Sequence, residues 1–263
     1  MRLLTLNCHS FMEENYEEKI LETVKVIAKN DYDVIAFQEA SQSIDSLIEY
    51  DNLRKDNYAL RIQKELKKLN KDYNLFWDYS HIGYDKYLEG LAILTKKEMI
   101  SKESFFVSKI KDKSYWKTRK ILKVSIKEEN ELIDIYSCHL GWFKDKEDSS
   151  KYQIDEIMKR IDKNRISILM GDFNSEAYVE NEGYDYLTKE YSLFDTFDLA
   201  ENKDSGITVI GKIDGWESTE DKRIDLILSN KKIKVIESKV IFNGENETVV
   251  SDHFGLDVVC NLN

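Results

Sequence analysis

The chain has 263 residues, is 41% hydrophobic and 11% aromatic, and contains no proline. That core fraction excludes a disordered chain, and the lack of Pro-rich or Gly/Ser-rich linkers favours a single domain over residues 1–263. A formal net charge of −11 argues against a protein that grips duplex DNA, because such proteins draw much of their affinity from a basic face.

Met1 leads directly into the apolar run Leu3-Leu4-Thr5-Leu6, without the basic and long apolar regions of a signal peptide. No segment approaches the ~20 apolar residues of a membrane span, so the expectation is a cytoplasmic protein with no membrane partner. Residues 2–8 read as a short buried strand. Residues 16–29 place Ile20, Leu21, Val24, Ile27 and Ala28 at helical spacing, with acids early and lysines late, as the helix dipole favours. The run DVIAFQE at 33–39 is a second strand. Strand, helix, strand is a βαβ unit, whose crossover favours a parallel pair.

A second helix is predicted over 58–69, then strands near 90–95, 120–126 and 132–138. The turn EEN at 128–130 makes the last two an antiparallel hairpin. Ile154, Ile157, Met158 and Ile161 mark a third helix, followed by strands at 166–170, 223–229, 234–242 and 254–260. The pattern is α/β (α+β) with mixed sheets. Cys8, Cys138 and Cys260 lack metal-type spacing. Cys8 and Cys138 each adjoin a polar residue on a strand and should face the opposite way, into packed core.

Polar groups fall where the apolar runs end. Asn7, Glu39, His139, Asp172 and Asp252 each lie at or just beyond such an end, where α/β folds gather ligands. Taken alone, Glu39 either meets a cation or emerges into solvent, since a buried carboxylate needs a partner. In GDFN at 171–174, Gly171 would let the backbone turn, and Asp172 and Asn174 either share one face or form a simple Asx-turn. Asp225 stands inside the apolar run RIDLIL. Buried charges are usually paired, and His253 is its natural partner, an arrangement that would favour the charged imidazole.

In this order the pieces LTLNC, IAFQE, SCHL, MGDFN, RIDLIL and SDHFGL, from residue 3 to residue 256, resemble the endonuclease/exonuclease/phosphatase superfamily. The resemblance implies a four-layer sandwich of two mixed β-sheets packed face to face, with helices outside. It implies Mg²⁺ or Mn²⁺ held by Glu39 with Asn7 and Asp252 close by. Asp172 would activate the attacking water, while Asn174, His139 and His253 hold the phosphoryl oxygens; such chemistry rests on positioning and electrostatics. Glu89 is similar to a carboxylate that orients the first histidine, here His139, and Arg119 to a phosphate-contacting arginine. Either is equally compatible with a surface charge.

Several further stretches, NCHS, EASQSI, YWKTRK, HLGW and KIDGW, resemble bacterial maltose 6'-phosphate phosphatases of that superfamily. Trp116, Trp142 and Trp216 occur in or beside them, and flat aromatic faces stack on sugar rings; Trp is nonetheless more often a core residue. Trp142, three residues from His139, and Trp216, in the polar loop GKIDGWES before Asp225, are the stronger substrate-binding candidates. The resulting expectation is hydrolysis of a small phosphorylated sugar, with a nuclease or other phosphodiesterase as the alternative and nucleic acid disfavoured by charge. A catalytically dead binding module is a third class, opposed by the presence of every expected polar residue.

Overall fold

The computed structural model describes residues 1–129 and 131–262. Its layers follow from the alternation of strand side chains, which gives each sheet two faces to bury. Leu3, Ala36 and Ile93 of one sheet meet Leu122, Ile135, Ile168 and Ile227 of the other in a central core. Leu4, Leu6 and Phe37 point the opposite way, under the helices Tyr16–Asn30 and Tyr58–Lys68, which contribute Ile20, Val24, Ile62 and Leu66. On the far side Tyr136, Cys138, Leu169 and Leu226 pack beneath Ile154 and Ile157 of the helix Ser150–Met158. Helices, sheet, sheet and helix are therefore the four layers.

The first sheet has eight strands. Arg2–Asn7 and Val34–Gln38 pair in parallel at its centre, flanked by antiparallel Gly255–Asn261 on one side and Tyr87–Thr95 on the other. The second has six, with the parallel pair Glu131–His139 and Ile166–Asp172 flanked by antiparallel Lys120–Glu128 and Asp225–Ser229. The predicted hairpin is present as an antiparallel pair, although Asn130 of its turn lies outside the described residues. The predicted third helix ends at Met158, so Ile161 packs from the segment beyond it. Strands Asn74–Gly83 and Met99–Phe106 were not foreseen; the latter is a sheet edge with a largely exposed, polar sequence.

This topology sets the site. Parallel strands end, and their antiparallel neighbours begin, at one rim of the sandwich. Two details differ from expectation. Gly171 lies inside the strand Ile166–Asp172 and makes no turn; a Cβ there would come within 1.9 Å of the Cys138 carbonyl oxygen, so glycine permits close approach of paired strands. Asp225 opens its strand rather than interrupting it, because Ile224 N–H and Asp225 N–H both turn toward Thr208 Oγ1. All three cysteines are free and buried, as filler in the core.

Candidate active site

Just beneath the rim, polar residues join the sheets. Gln38 takes a hydrogen bond from Thr5 Oγ1 at 3.2 Å and donates to Ser137 Oγ at 3.2 Å. Asn7 stands one layer higher and spans the gap, its amide nitrogen donating to Glu39 Oε1 at 2.8 Å and to Asp172 Oδ2 at 3.1 Å. Glu39 follows the strand with φ +54°, a sharp departure that presents its carboxylate to the pocket instead of continuing the ladder. Burial and the nearby Glu89 carboxylate raise its pKa to about 7.

Asp172 divides its oxygens between two tasks. Oδ1 accepts the Asn174 backbone N–H at 2.8 Å, which is an Asx-turn, while Oδ2 faces Asn7. The two readings of GDFN are thus both present. Burial, then the charge of Asp225, raises the Asp172 carboxyl to about 7. Asn174 is held at φ +45°; its amide nitrogen donates to Leu140 O at 2.9 Å, and its Oδ1 accepts the Trp216 indole N–H at 3.2 Å. One amide proton is then left for a ligand.

His253 pairs with Asp225 as expected, Nδ1 to Oδ2 at 2.8 Å, and its Nε2 stands 3.9 Å from Asp172 Oδ2. Burial opposes the charged ring, but the Asp225 carboxylate outweighs it and raises the imidazole to about 10. His139 places Nε2 at 3.7 Å from Asp172 Oδ2 and 3.9 Å from Glu39 Oε1. Burial, helped by the Arg119 charge, lowers its pKa well below the ordinary range. One histidine is a cation and the other a neutral ring.

Glu89 meets a different histidine from the one anticipated. It lies opposite His81 across the antiparallel pair, with Nε2 to Oε1 at 3.4 Å, and has no such contact with His139. Arg119 is a buried site residue, not a surface charge: it is 5% exposed, donates to Trp116 O at 2.8 Å, leaves Nε unpartnered and forms no ion pair among the described residues. Asp252 is the most open of the acids, 3.5 Å from His9 Nδ1.

These groups line one cavity of about 540 Å³, walled by Trp116, Trp142, Trp216 and Tyr84 and floored by Glu39, Glu89, Arg119, His139, Asp172 and His253. His9, Glu13 and His81 are participants that sequence reading missed. His9 and Glu13 follow Asn7 closely and join Asp252 through His9, whereas a lone His81 in an unforeseen strand carried no signal. Among the described residues, two groups of side chains could hold a metal ion: His9, Glu13 and Asp252, and Asp172, Asp225 and His253. In each the imidazole is held protonated between carboxylates, at about 9 for His9 despite its burial. A metal there would first displace that proton.

A two-sheet sandwich gathers carboxylates, amides, imidazoles and a buried arginine on one rim, a set suited to the hydrolysis of phosphate esters. Residues 4–253 match the Endonuclease/Exonuclease/phosphatase family, and no curated protein matches the chain in sequence. The structure of an endonuclease/exonuclease/phosphatase family protein from Leptotrichia buccalis superposes with a TM-score of 0.94 at 39% identity over 100% of both chains. A mannosyl-6-phosphatase from Bacteroides thetaiotaomicron shares the fold at TM-score 0.69 and 18% identity, again over 100% of both chains. D. rerio TDP2 complexed with single strand DNA product shares it at 0.65 and 14%, over 99% of this chain and 98% of that one. The chain belongs to the endonuclease/exonuclease/phosphatase family. No described helix is long and apolar enough to cross a membrane.

Proposed function

We propose that the chain is a Mg²⁺-dependent phosphomonoesterase that releases phosphate from a phosphorylated sugar, with maltose 6'-phosphate as the leading substrate. The observation that carries this reading is Arg119, a buried guanidinium with no ion pair among the described residues, set in a pocket walled by three tryptophans. A buried cation needs a counter-anion, and a phosphoryl group supplies one. A cavity of about 540 Å³ suits a small ligand, and the aromatic walls suit the apolar faces of sugar rings. A nucleic acid backbone would meet Glu39, Glu89, Asp214 and Asp252 instead of a basic groove. The Bacteroides mannosyl-6-phosphatase shows that this fold serves sugar phosphates, and the TDP2 complex that it serves DNA; fold alone does not choose between them.

The donor set fits a hard divalent cation. Glu39, half-buried, and Asp172, buried, are carboxylates brought together on one amide, both raised to about 7 by burial and by a neighbouring carboxylate, Glu89 for the first and Asp225 for the second. We assign the ion to Glu39, with Asn7 and Asp252 beside it, in keeping with the preference of Mg²⁺ and Mn²⁺ for oxygen. When bound, it would supply Lewis-acid polarisation of the phosphate ester. Asp172, fixed through Oδ1 by the Asn174 backbone, has on Oδ2, beside the Asn7 amide, a second lone pair to take a proton from the attacking water. Asn174 offers its remaining amide proton to a phosphoryl oxygen. His253, charged and anchored by Asp225, stabilises the negative charge that builds there, as does Arg119. His139, neutral, donates a hydrogen bond without adding charge.

The test is a panel with Mg²⁺ or Mn²⁺: maltose 6'-phosphate, trehalose 6-phosphate, glucose 6-phosphate, supercoiled plasmid and an abasic-site duplex. Release of inorganic phosphate from a sugar phosphate, with plasmid intact, is expected. Plasmid nicking without sugar-phosphate hydrolysis would establish the nuclease alternative. Inactivity toward every ester would favour the binding module.

A further inference from the structure

The loop that carries Trp216 has little apolar anchorage, since seven of the ten residues 211–220 are exposed. Its interior is occupied by a charge. Lys222 is 2% exposed, and its ammonium donates to the carbonyl oxygens of Gly211 at 2.9 Å, Ser218 at 3.1 Å and Glu220 at 2.5 Å. An ammonium has three protons, so all are matched by acceptors of this one loop. Lys222 forms no ion pair among the described residues, and its nitrogen lies 5.8 Å from the Trp216 ring centroid.

The root of Lys222 is fixed as firmly as its tip. Its backbone bridges to Val209, with N–H to Val209 O at 2.8 Å, and the chain enters the Asp225 strand three residues later. A buried ammonium is unfavourable unless every proton is satisfied. Here satisfaction requires the loop to stay closed, so the burial of Lys222 and the loop conformation are one event. Closure brings Gly215, at φ +81°, against Trp142, where a Cβ would fall 2.1 Å from the ring. It also brings the Trp216 indole onto Asn174 Oδ1.

We propose that Lys222 is a positioning residue of the active site: its caged ammonium holds the 211–220 loop shut. It thereby sets both the tryptophan wall and the direction in which the Asn174 carboxamide faces. The catalytic consequence rests on the roles proposed above for Trp216 and Asn174; the closure of the loop does not.

The experiment therefore has two arms, applied to the full-length chain as Lys222→Met and as Lys222→Gln, which keeps two donors without the charge. In the first arm, trypsin cleavage after the exposed Lys212 is compared with cleavage after Lys25 in the helix Tyr16–Asn30. Local opening is expected to accelerate cleavage at Lys212 by about 10-fold or more in Lys222→Met, less in Lys222→Gln, and to leave Lys25 unchanged. Equal protection of Lys212 in wild type and both variants, or acceleration at both sites alike, would overturn the proposal. In the second arm, kcat and KM are measured with p-nitrophenyl phosphate and with the best sugar phosphate of the panel. A loss of up to about 10²-fold in kcat/KM is expected from misplacing a site group, weighted toward KM for the sugar phosphate. Combined with Trp216→Ala, the loss should not exceed that of the worse single variant, whereas independent sites would multiply. Multiplicative losses would show that Lys222 does not act through Trp216. If the wild type hydrolyses no ester at all, the functional reading fails while the proteolysis arm still decides the loop.

Discussion

The two sheets contribute unlike halves to the rim. The eight-stranded sheet brings Glu39, Glu89 and Asp252, acids with partial access to solvent and few fixed donors around them. The six-stranded sheet brings Asp172, Asn174 and Asp225, which are buried and held by neighbours at 2.8–3.2 Å. The first half is rich in carboxylates, the side to which the cation is assigned in the proposed function. The second is a preorganised set of dipoles, whose value lies in needing no reorganisation during reaction. Asn7 is the hinge between them, with one amide nitrogen shared by both carboxylates.

Removing a group from the fixed half should have the largest effect. Asp172→Ala is expected to lower kcat by about 10²-fold or more, the usual range for a general base, with the metal requirement largely unchanged. Steady-state turnover on p-nitrophenyl phosphate at saturating Mg²⁺ checks this; near-normal turnover would remove Asp172 from its role. Removing a group from the open half should show a different signature. Glu39→Gln is expected to weaken apparent Mg²⁺ affinity by at least about 10-fold, the lower end of what even an outer partner of a metal ligand contributes. Part of the lost rate should return at high metal. If metal titrations of Glu39→Gln and wild type overlay, the contrast between the halves is wrong.

The pH response follows from the same contrast. Glu39 and Asp172 titrate at about 7 in the metal-free protein, above their ordinary range. At these two groups the folded chain binds more protons than the unfolded one, so their contribution is fully present below the ordinary carboxyl range and is lost as pH rises through 7; His81, lowered to about 3, and His139, lowered well below its ordinary range, oppose this up to about pH 6.5. His253, raised to about 10, extends the same downward trend at higher pH. Metal-free protein should thus melt at a falling temperature from about pH 6.5 to 8, where His9 and His253 add to the decline and the lowered histidines no longer oppose it, and Mg²⁺ should offset the decline most at the upper end. A melting temperature that rises with pH over this window, without metal, would contradict the assigned shifts.

Much of this site was legible because strand ends are chemically conspicuous. Alone, a carboxylate after VIAFQ or an Asp–His step before a strand has an ordinary explanation, and the order of six such pieces is what made them legible together. The pairing of Asp225 with His253 was likewise readable, since a charge in an apolar run needs a partner. What stayed hidden depended on register and on edges. Glu89 faces His81 only because two antiparallel strands align at that residue, and one of those strands was invisible to alternation. Arg119 was a phosphate-contacting candidate on resemblance and equally compatible with a surface charge in a lysine-rich segment, and only packing shows it buried. Lys222 carried no signal either, because its partners are backbone carbonyls, which leave no trace in side-chain identity.

The smallest expected effect probes the seam where the fixed half meets the substrate. Trp216→Phe keeps an aromatic wall but removes the N–H that engages Asn174 Oδ1. A neutral hydrogen bond contributes about 0.5–1.5 kcal/mol, so kcat/KM should fall by roughly 2-fold to 10-fold. The fall should lie mainly in kcat, because the freed carboxamide then samples orientations in which its nitrogen no longer faces the phosphoryl group. Trp116→Phe, whose half-exposed ring makes no hydrogen bond to Asn174, provides the control: it alters the wall without releasing Asn174, so its effect should appear in KM. Equal kcat values for the two variants would mean that Trp216 acts only as a surface for the sugar, and that Asn174 is held by Leu140 O alone.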